Sequence, residues 1–208
     1  KRPIASGALS IPVAIFLTVL GLVVSLLLAI RLDYFFFLIV LSYLVLQLLY
    51  TVKLKHVAII DLLVIATGFI LRVYSGAVVV DAHLSVWFLL CVVAASLLLA
   101  VGKRRAELSL LASKAASVRA TLGGYPEQLL DVWVGMFAIM SILSYILFTF
   151  QQPPVTPGHR LVPLLVVLPR ALTVEKWLMV TIPVVIYGVM RYLQLIYQKH
   201  QGEVPERV

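Results

Sequence analysis

Six long apolar runs, separated by short polar segments, dominate the hydropathy pattern of the chain. Each is close to the length of about 20 residues that an α-helix needs to cross a bilayer. They cover approximately residues 11–30, 34–50, 57–80, 84–101, 126–150 and 174–197. The pattern therefore predicts an all-α, polytopic transmembrane bundle that forms one integral membrane domain over residues 1–208.

The segment between the fifth and sixth runs interrupts this pattern. Its sequence, QQPPVTPGHRLVPLLVVLPRALT, contains five prolines, and its longest apolar stretch, residues 164–168, is too short to cross a bilayer. We predict an extended loop or a shallow re-entrant segment here.

The composition excludes a soluble globular protein. Hydrophobic residues make up 62% of the 208 residues and charged residues 12%, and the mean hydropathy is +1.09. Soluble domains, in contrast, are about half apolar and a quarter charged. The single cysteine, Cys91, lies inside the fourth apolar run and excludes an intramolecular disulfide.

The basic residues are divided unequally between the two sides that six crossings define. Eleven fall on the side of the chain ends and four on the other, while Arg72 and Arg191 lie within predicted spans. Because cytoplasmic loops carry the excess of Lys and Arg, the eleven-cation side is predicted to face the cytoplasm. This rule alone is a sufficient alternative explanation for Lys114, Arg119 and Lys199. The eleven are Lys1, Arg2, Lys53, Lys55, Lys103, Arg104, Arg105, Lys114, Arg119, Lys199 and Arg207.

A dense group of charges follows the fourth apolar run, in the sequence VGKRRAELSLL at residues 101–111. Lys103, Arg104 and Arg105 offer cationic groups that bind phosphate oxygens through charge-assisted hydrogen bonds. Glu107 offers a carboxylate that can help to hold Mg²⁺ against those oxygens, and on a helix it shares a face with Lys103. The group is predicted to bind a polyphosphate with a metal ion. For Arg105, a solvated flanking position is an equally good interpretation.

The residues that follow this group have an amphipathic pattern. In ELSLLASKAASVRATL, residues 107–122, apolar positions recur at alternating steps of three and four residues. This spacing predicts a helix that lies along the membrane surface, where it could cover a cytoplasmic cavity.

Two ionisable residues lie within the third apolar run. Asp61 and Arg72 are eleven residues apart, about three helical turns, and so project from nearly the same face. Ionisable groups at such depth usually face a polar interior, a partner or a substrate pathway. A structural ion pair with another helix is the alternative for both residues, and more so for Arg72 than for Asp61.

Polar residues also precede the third run, at the membrane interface. His56 is expected to be a solvated residue there, since no second histidine stands at ligand spacing from it. The sequence YTVKLKH supplies Tyr50, Lys53, Lys55 and His56.

Four stretches of the chain carry a resemblance to a known family. KRPIASGALS, YTVKLKHVAIIDLLVIATGFILRVYSGA, VGKRRAEL and GEVPERV together resemble the decaprenyl-phosphate phosphoribosyltransferase branch of the UbiA superfamily of intramembrane prenyltransferases. The resemblance implies a nine-helix bundle around a cytoplasm-facing site in the cell membrane, where two polar motifs hold Mg²⁺ and a pyrophosphate group. It further implies transfer of 5-phosphoribose from phosphoribosyl pyrophosphate to a polyprenyl phosphate, in the synthesis of arabinose donors for the cell wall.

The resemblance also implies roles for individual residues. Glu107 corresponds to the acidic member of the second motif, with Lys103, Arg104 and Arg105 on the pyrophosphate. Asp61 is assigned to the metal, to the ribose or to a lysine partner, and with Glu107 it forms the expected catalytic and metal-binding pair. The other implied substrate-binding residues are Lys1, Arg2, Tyr50, Lys53, Lys55 and Arg72.

The chain departs from the family pattern at both ends. In the family an acidic motif precedes KRPIASG, whereas this chain begins at Lys1. We expect that two helices at the front and one at the back are missing, and that the remaining fragment alone is inactive.

The expected reaction needs no side-chain nucleophile, because the acceptor phosphate is already ionised. Two rival functions use the same residues differently. An aromatic prenyltransferase of the same superfamily would transfer the isoprenoid itself, although one acid among three cations in GKRRAE argues against repeated metal-binding aspartates. A transporter would use Asp61 and Arg72 as a polar pathway. No nucleic-acid partner is expected, and the oligomeric state is open.

Overall fold

The structure, a computed structural model, describes residues 10–111, 125–152 and 177–198. Within these ranges the regular elements are helical. Six α-helices follow one another along the chain: α1 (Ile11–Leu32), α2 (Tyr34–Val52), α3 (Ile60–Val79), α4 (Val86–Leu111), α5 (Glu127–Gln151) and α6 (Ile182–Gln198). Short 3₁₀ turns at Leu54–His56 and Trp177–Thr181 precede α3 and α6.

All six helices are long and apolar enough to cross a membrane, so the chain is a multi-pass membrane protein. The prediction of an all-α transmembrane bundle is confirmed. Many large apolar side chains of α1 and α2 face outward, as expected for surfaces that contact lipid. Alternating crossings place one set of helix ends, near residues 52, 60, 111, 127 and 198, on one side of the bundle, which we call the charged end.

The connections between the first three helices follow from local chemistry. Asp33 alone separates α1 from α2, and its side chain accepts a hydrogen bond of 3.0 Å from the Phe36 N–H, which caps the start of α2. The third helix begins at Ile60 rather than at residue 57, because the 3₁₀ turn and a tight turn at Ile59 come first.

Helix α4 lies at the centre of the described bundle. It packs most extensively against α5 and also contacts α3 and α6, while α2 joins α1 to α3. Small side chains are buried in α4 and α5, which lets the helices approach closely, as is common in membranes. These buried small residues are Ala94, Ser96, Ala138, Ser141 and Ser144.

The fourth helix differs from its predicted span. It continues without a break beyond Val101, through the whole of GKRRAELSLL to Leu111. The predicted surface helix over residues 107–122 is therefore wrong at its start, where residues 107–111 extend α4, and the rest of it lies outside the described residues. The proline-rich loop also lies outside them.

Candidate functional site: a buried charge centre

Arg104 is the centre of a buried group of charges at the charged end of the bundle. It lies on the part of α4 that continues past the apolar run, and only 2% of its side chain is exposed. Its Nε donates to Asp61 Oδ2 at 3.1 Å, and its terminal nitrogen donates to Glu107 Oε2 at 2.8 Å. The forked guanidinium thus joins a carboxylate of α3 to one of α4.

Asp61 lies in the first turn of α3 and is fully buried. Its second oxygen, Oδ1, accepts a hydrogen bond of 2.7 Å from the Tyr125 hydroxyl. The position at a helix N-terminus also favours a carboxylate, because the helix dipole is positive there. Both oxygens of Asp61 are therefore engaged within the protein.

Tyr125 connects this group to the segment that enters α5. Its hydroxyl donates to Asp61 and accepts from the backbone N–H of Ile59, and its ring packs edge-on against Trp133 at 5.9 Å. Burial raises the pKa of Tyr125 to about 12, with a further increase from Asp61 and opposing effects from the Ile59 N–H and Arg104. The hydroxyl therefore remains protonated near neutral pH. We call Asp61, Arg104, Glu107 and Tyr125 the charge centre.

A second group of ion pairs lies beside the charge centre and joins α4, α5 and α6. Arg105 contacts Glu127 Oε1 and Asp131 Oδ1, each at 2.6 Å. Tyr197 donates to the same Asp131 oxygen at 3.0 Å, and the guanidinium lies 5.7 Å from its ring centroid. We call these four residues the outer cluster. It is more exposed than the charge centre, since Glu127 is 60% exposed.

The structure thus brings together three of the predicted site residues, Asp61, Arg104 and Glu107. The sequence predicts for Asp61 a metal, ribose or lysine partner or, alternatively, a structural ion pair with another helix; the structure pairs it with Arg104 of α4 and with Tyr125. Arg104 is paired with the carboxylates of Asp61 and Glu107. Its predicted contact with pyrophosphate stays a prediction, and it would require at least one of these ion pairs to break. The outer cluster gives Arg105 partners on α5 instead of a solvated flank.

The predicted lysines lie at the edge of the same end of the bundle. Lys103 and Lys53 are exposed, and Lys55 is half-buried on the turn Leu54–His56. His56 is exposed, as expected. Lys1 and Arg2 lie outside the described residues.

Arg72 and Tyr50 belong to a different place, a cavity of about 120 Å³ between α2 and α3. The Arg72 guanidinium donates to the Tyr43 hydroxyl and lies 5.0 Å from the ring centroid of Tyr43 and 5.4 Å from that of Phe69. The ring faces offset part of the cost of a cation in the membrane. Since Asp61 faces Arg104, the two ionisable residues of α3 lie in separate groups, which argues against one polar pathway through both.

Two tyrosines of the site, Tyr125 and Tyr197, are not predicted from the sequence. Tyr125 lies just before Pro126 and the start of α5. A tyrosine at the start of a helix does not by itself indicate a functional residue. Tyr197 falls near the end of an apolar run, where tyrosines are common at membrane interfaces.

The carboxylates of the charge centre offer little open coordination for a metal. Within the described ranges, no three His, Cys, Asp or Glu side chains are grouped to hold a metal ion. Asp61 has both oxygens engaged and is closed to solvent, which does not suit a metal ligand. Glu107 is 13% exposed and is the better placed of the two.

Comparison with curated proteins finds several enzymes named decaprenyl-phosphate phosphoribosyltransferase. That of Mycolicibacterium smegmatis is 36% identical over 152 residues, which is 73% of this chain and 48% of the relative. That of Mycobacterium tuberculosis strain H37Rv is 35% identical over 156 residues, 73% of this chain and 50% of the relative. That of Corynebacterium glutamicum is 40% identical over 110 residues, 52% of this chain and 33% of the relative. No family model matches the chain.

The chain spans about half the length of the first two of these relatives. The match to the Mycolicibacterium smegmatis enzyme covers 152 of the 208 residues. A stretch of that length can begin no later than residue 57 and end no earlier than residue 152, so it includes residues 57–152. All four residues of the charge centre lie in that interval. The charge centre thus lies in the part of the chain that is similar to decaprenyl-phosphate phosphoribosyltransferases.

Proposed function

We propose that the full-length protein transfers 5-phosphoribose from phosphoribosyl pyrophosphate to a polyprenyl phosphate, with decaprenyl phosphate as the acceptor named for its relatives. The observation that carries this proposal is the similarity to those relatives at 35–40% identity. The proposal includes the UbiA-type fold, of which the described part of this chain would supply six transmembrane helices, and a role in the synthesis of arabinan precursors for the cell wall.

The electrostatics of the charged end support a polyanionic donor. The exposed Lys53 and Lys103 and the half-buried Lys55 lie on helix ends and a turn that share this end of the bundle with the charge centre. Each ammonium group can donate charge-assisted hydrogen bonds to phosphate oxygens. Arg104 holds Glu107, the partly exposed carboxylate at this end, in a fixed position, so a donor that carries a metal ion would meet a pre-arranged ligand.

The reaction exchanges one oxygen substituent at C1 of the ribose for another. The bond from C1 to the pyrophosphate oxygen breaks and its electron pair leaves with pyrophosphate, while an oxygen of the lipid phosphate forms the new bond. The attacking phosphate is already an anion, so a strong general base is unnecessary. Lysines that bind the pyrophosphate stabilise the charge that develops on it.

Mg²⁺ is part of the proposal. When bound, it would neutralise the leaving pyrophosphate. Mg²⁺ is commonly held by one or two carboxylates together with waters and substrate phosphates. Glu107, the more exposed carboxylate of the charge centre, is the proposed protein ligand, and Asp61 is proposed to position Arg104.

The proposed location is the plasma membrane, with the charged end in the cytoplasm, where phosphoribosyl pyrophosphate would enter. The excess of Lys and Arg on that side of the sequence supports this orientation. The polyprenyl chain would reach the site laterally from the bilayer.

The test uses phosphoribosyl pyrophosphate labelled in its ribose and measures transfer of labelled phosphoribose to polyprenyl phosphate by the full-length protein in detergent, with Mg²⁺ and with a chelator. Labelled lipid that forms only with Mg²⁺ is expected. Lack of labelled lipid, with transfer of the isoprenoid to an aromatic acceptor or with substrate flux across vesicles instead, would overturn the proposal.

Lys103→Ala tests the proposed donor site. Because Lys103 is exposed, the variant should fold normally while donor affinity falls by about 1.5–3 kcal/mol for one lost charged hydrogen bond. Arg31→Ala removes an exposed cation from the last turn of α1, at the other end of the bundle, and is the matched control. Equal donor affinity in both variants would show that Lys103 does not bind the donor and belongs to the general excess of cations on the cytoplasmic side.

A further inference from the structure

The chain adopts a strained turn directly before α3. Ile59 has φ 68° and ψ −47°, and the Ile60 N–H donates to the Ala58 carbonyl at 2.8 Å, which defines a γ-turn of the rare, strained hand. Glycine adopts positive φ without steric cost, but a β-branched residue does so only against steric repulsion. The identity of residue 59 therefore opposes the conformation that it adopts.

Burial of the Ile59 side chain does not explain the strain, because 51% of the residue is exposed. A backbone contact offers an explanation instead. The Ile59 N–H donates to the Tyr125 hydroxyl, which in turn donates to Asp61 Oδ1 at 2.7 Å. Tyr125 itself is 4% exposed and is held by Trp133. A rigid, buried acceptor thus fixes the backbone of an exposed residue.

The contact between Ile59 and Tyr125 also affects the position of the lysines that precede α3. The turn Leu54–His56, which carries Lys55 and follows Lys53, ends only three residues before Ile59. The direction in which the chain enters α3 therefore also sets where these lysines stand relative to the charge centre. Strained backbone persists only where its surroundings over-determine it, and such places cluster at functional sites.

We propose that Tyr125 is a positioning residue for the proposed phosphoribosyl transfer, and that its hydroxyl clamps the strained turn at Ile59 and thereby holds the lysine-bearing turn Leu54–His56 beside the charge centre. This inference rests on the proposed function for its catalytic consequence, whereas the clamp itself is a property of the fold. Tyr125 acts through the backbone of Ile59 and through Asp61.

The test uses the full-length protein and three changes: Tyr125→Phe, Ile59→Gly, and both together. Tyr125→Phe removes only the hydroxyl, and we expect the KM for phosphoribosyl pyrophosphate to rise by about tenfold or more, as for loss of a buried hydrogen bond to a charged group, with a smaller change in the KM for polyprenyl phosphate. Glycine at residue 59 adopts the turn without strain, so the double variant should recover part of the donor affinity, while the loss that comes through the Tyr125 hydrogen bond to Asp61 remains.

Tyr192→Phe is the matched control, because it also removes the hydroxyl of a buried tyrosine. That hydroxyl makes a long hydrogen bond of 3.5 Å to Leu99 O. Its donor KM should stay near that of the wild type. A double variant as impaired as Tyr125→Phe, or an unchanged donor KM in Tyr125→Phe, would overturn the proposal. If Tyr125→Phe does not accumulate as folded protein, recovery of folded protein by the added Ile59→Gly is the expected result, and failure to recover would overturn it.

Hydrogen exchange of the amides at residues 60–63 separates this inference from the proposed function. These amides bond to carbonyls of Val57, Ala58 and Ile59, so Tyr125→Phe should accelerate their exchange and the added Ile59→Gly should restore protection. Exchange that is unaffected by Tyr125→Phe would refute the clamp even if the enzyme transfers phosphoribose. Restored protection in a protein without transferase activity would refute the proposed function alone.

Discussion

Arg104 and Asp61 are both closed to solvent, so desolvation opposes their direct attraction. The cost of burying two charges is offset only when geometry is good and the remaining polar atoms are also satisfied. The charge centre meets this condition, because Glu107 accepts a hydrogen bond from a second guanidinium nitrogen of Arg104 and Tyr125 donates one to the second oxygen of Asp61. Removal of any one member therefore leaves a buried group without its partner.

Asp61→Asn is expected to be more damaging than Glu107→Gln, although both change a carboxylate into an amide of the same shape. Breaking a fully buried ion pair costs about 3–5 kcal/mol, whereas Glu107 is 13% exposed, so water offsets part of the cost of changing it. Thermal unfolding in detergent, followed by circular dichroism, would measure the difference. Equal unfolding temperatures for the two variants would show that Asp61 is better solvated than its burial implies.

Tyr125 should make the stability of the protein depend on pH only under alkaline conditions. Its pKa in the folded protein is about 12, above the ordinary value of about 10 for an unfolded chain. The folded state therefore holds this proton more tightly. The stabilisation is complete below about pH 10 and is lost as the pH rises through about 12.

Thermal unfolding of the wild type and of Tyr125→Phe between pH 8 and 12 would measure this contribution. Other tyrosines and lysines titrate in both proteins, so the difference between the two curves isolates residue 125. The wild type should lose stability more steeply above pH 10. Parallel curves would contradict the raised pKa.

At the scale of residues, the sequence predicted the participants of the site better than their partners. Asp61 is identifiable because an ionisable residue within an apolar run is costly and usually functional, and Glu107 is identifiable because it follows three consecutive cations. Tyr125 was not identifiable, because it meets Asp61 across 64 residues of sequence and nothing local marks that contact. The pairing of Arg104 with Asp61 likewise depends on how α3 packs against α4.

At the scale of elements, hydropathy located the six helices of the described residues but misplaced the end of α4. A window of apolar residues ends where charges begin, whereas an α-helix ends where its backbone bonding stops. Lys, Arg, Ala, Glu and Leu, which make up most of residues 103–111, are all strong helix formers. The helix therefore continues beyond its apolar run and carries Arg104 and Arg105 on a rigid support.

The contact between α4 and α6 depends on Gly102. A Cβ atom at this position would lie 2.7 Å from Ile196 Cδ1 and would also collide with the Tyr192 hydroxyl. Gly102→Ala should therefore lower the free energy of unfolding by about 1–3 kcal/mol, as overpacking does. The measurement is thermal or chemical unfolding in a fixed detergent.

Gly135→Ala in α5 is the matched control, because no atom lies within 4 Å of the added Cβ. Alanine is favoured over glycine in a helix interior by about 0.5–1 kcal/mol, so this variant should be as stable as the wild type or slightly more so. A similar loss in both alanine variants would show that the packing of α4 against α6 is not the cause.

At the scale of the whole molecule, the orientation in the membrane can be measured with single cysteines, since Cys91 is the only one in the chain. In a Cys91→Ser background, Thr51→Cys places an exposed thiol at the charged end and His83→Cys places one at the opposite end. A membrane-impermeant maleimide should label residue 51 in inverted vesicles and residue 83 in right-side-out vesicles. The reverse pattern would place the charged end outside.

The adjacent arginines of α4 also bear on how this protein can vary in sequence. Consecutive residues of a helix point about 100° apart, and Arg104 meets α3 while Arg105 meets α5. One residue inserted earlier in α4 would move Lys103 to the place of Arg104 and Val101 to the place of Gly102, where its side chain would collide with α6. Evolutionary change in α4 is therefore expected to proceed by substitution, with insertions and deletions confined to the segments that connect the helices.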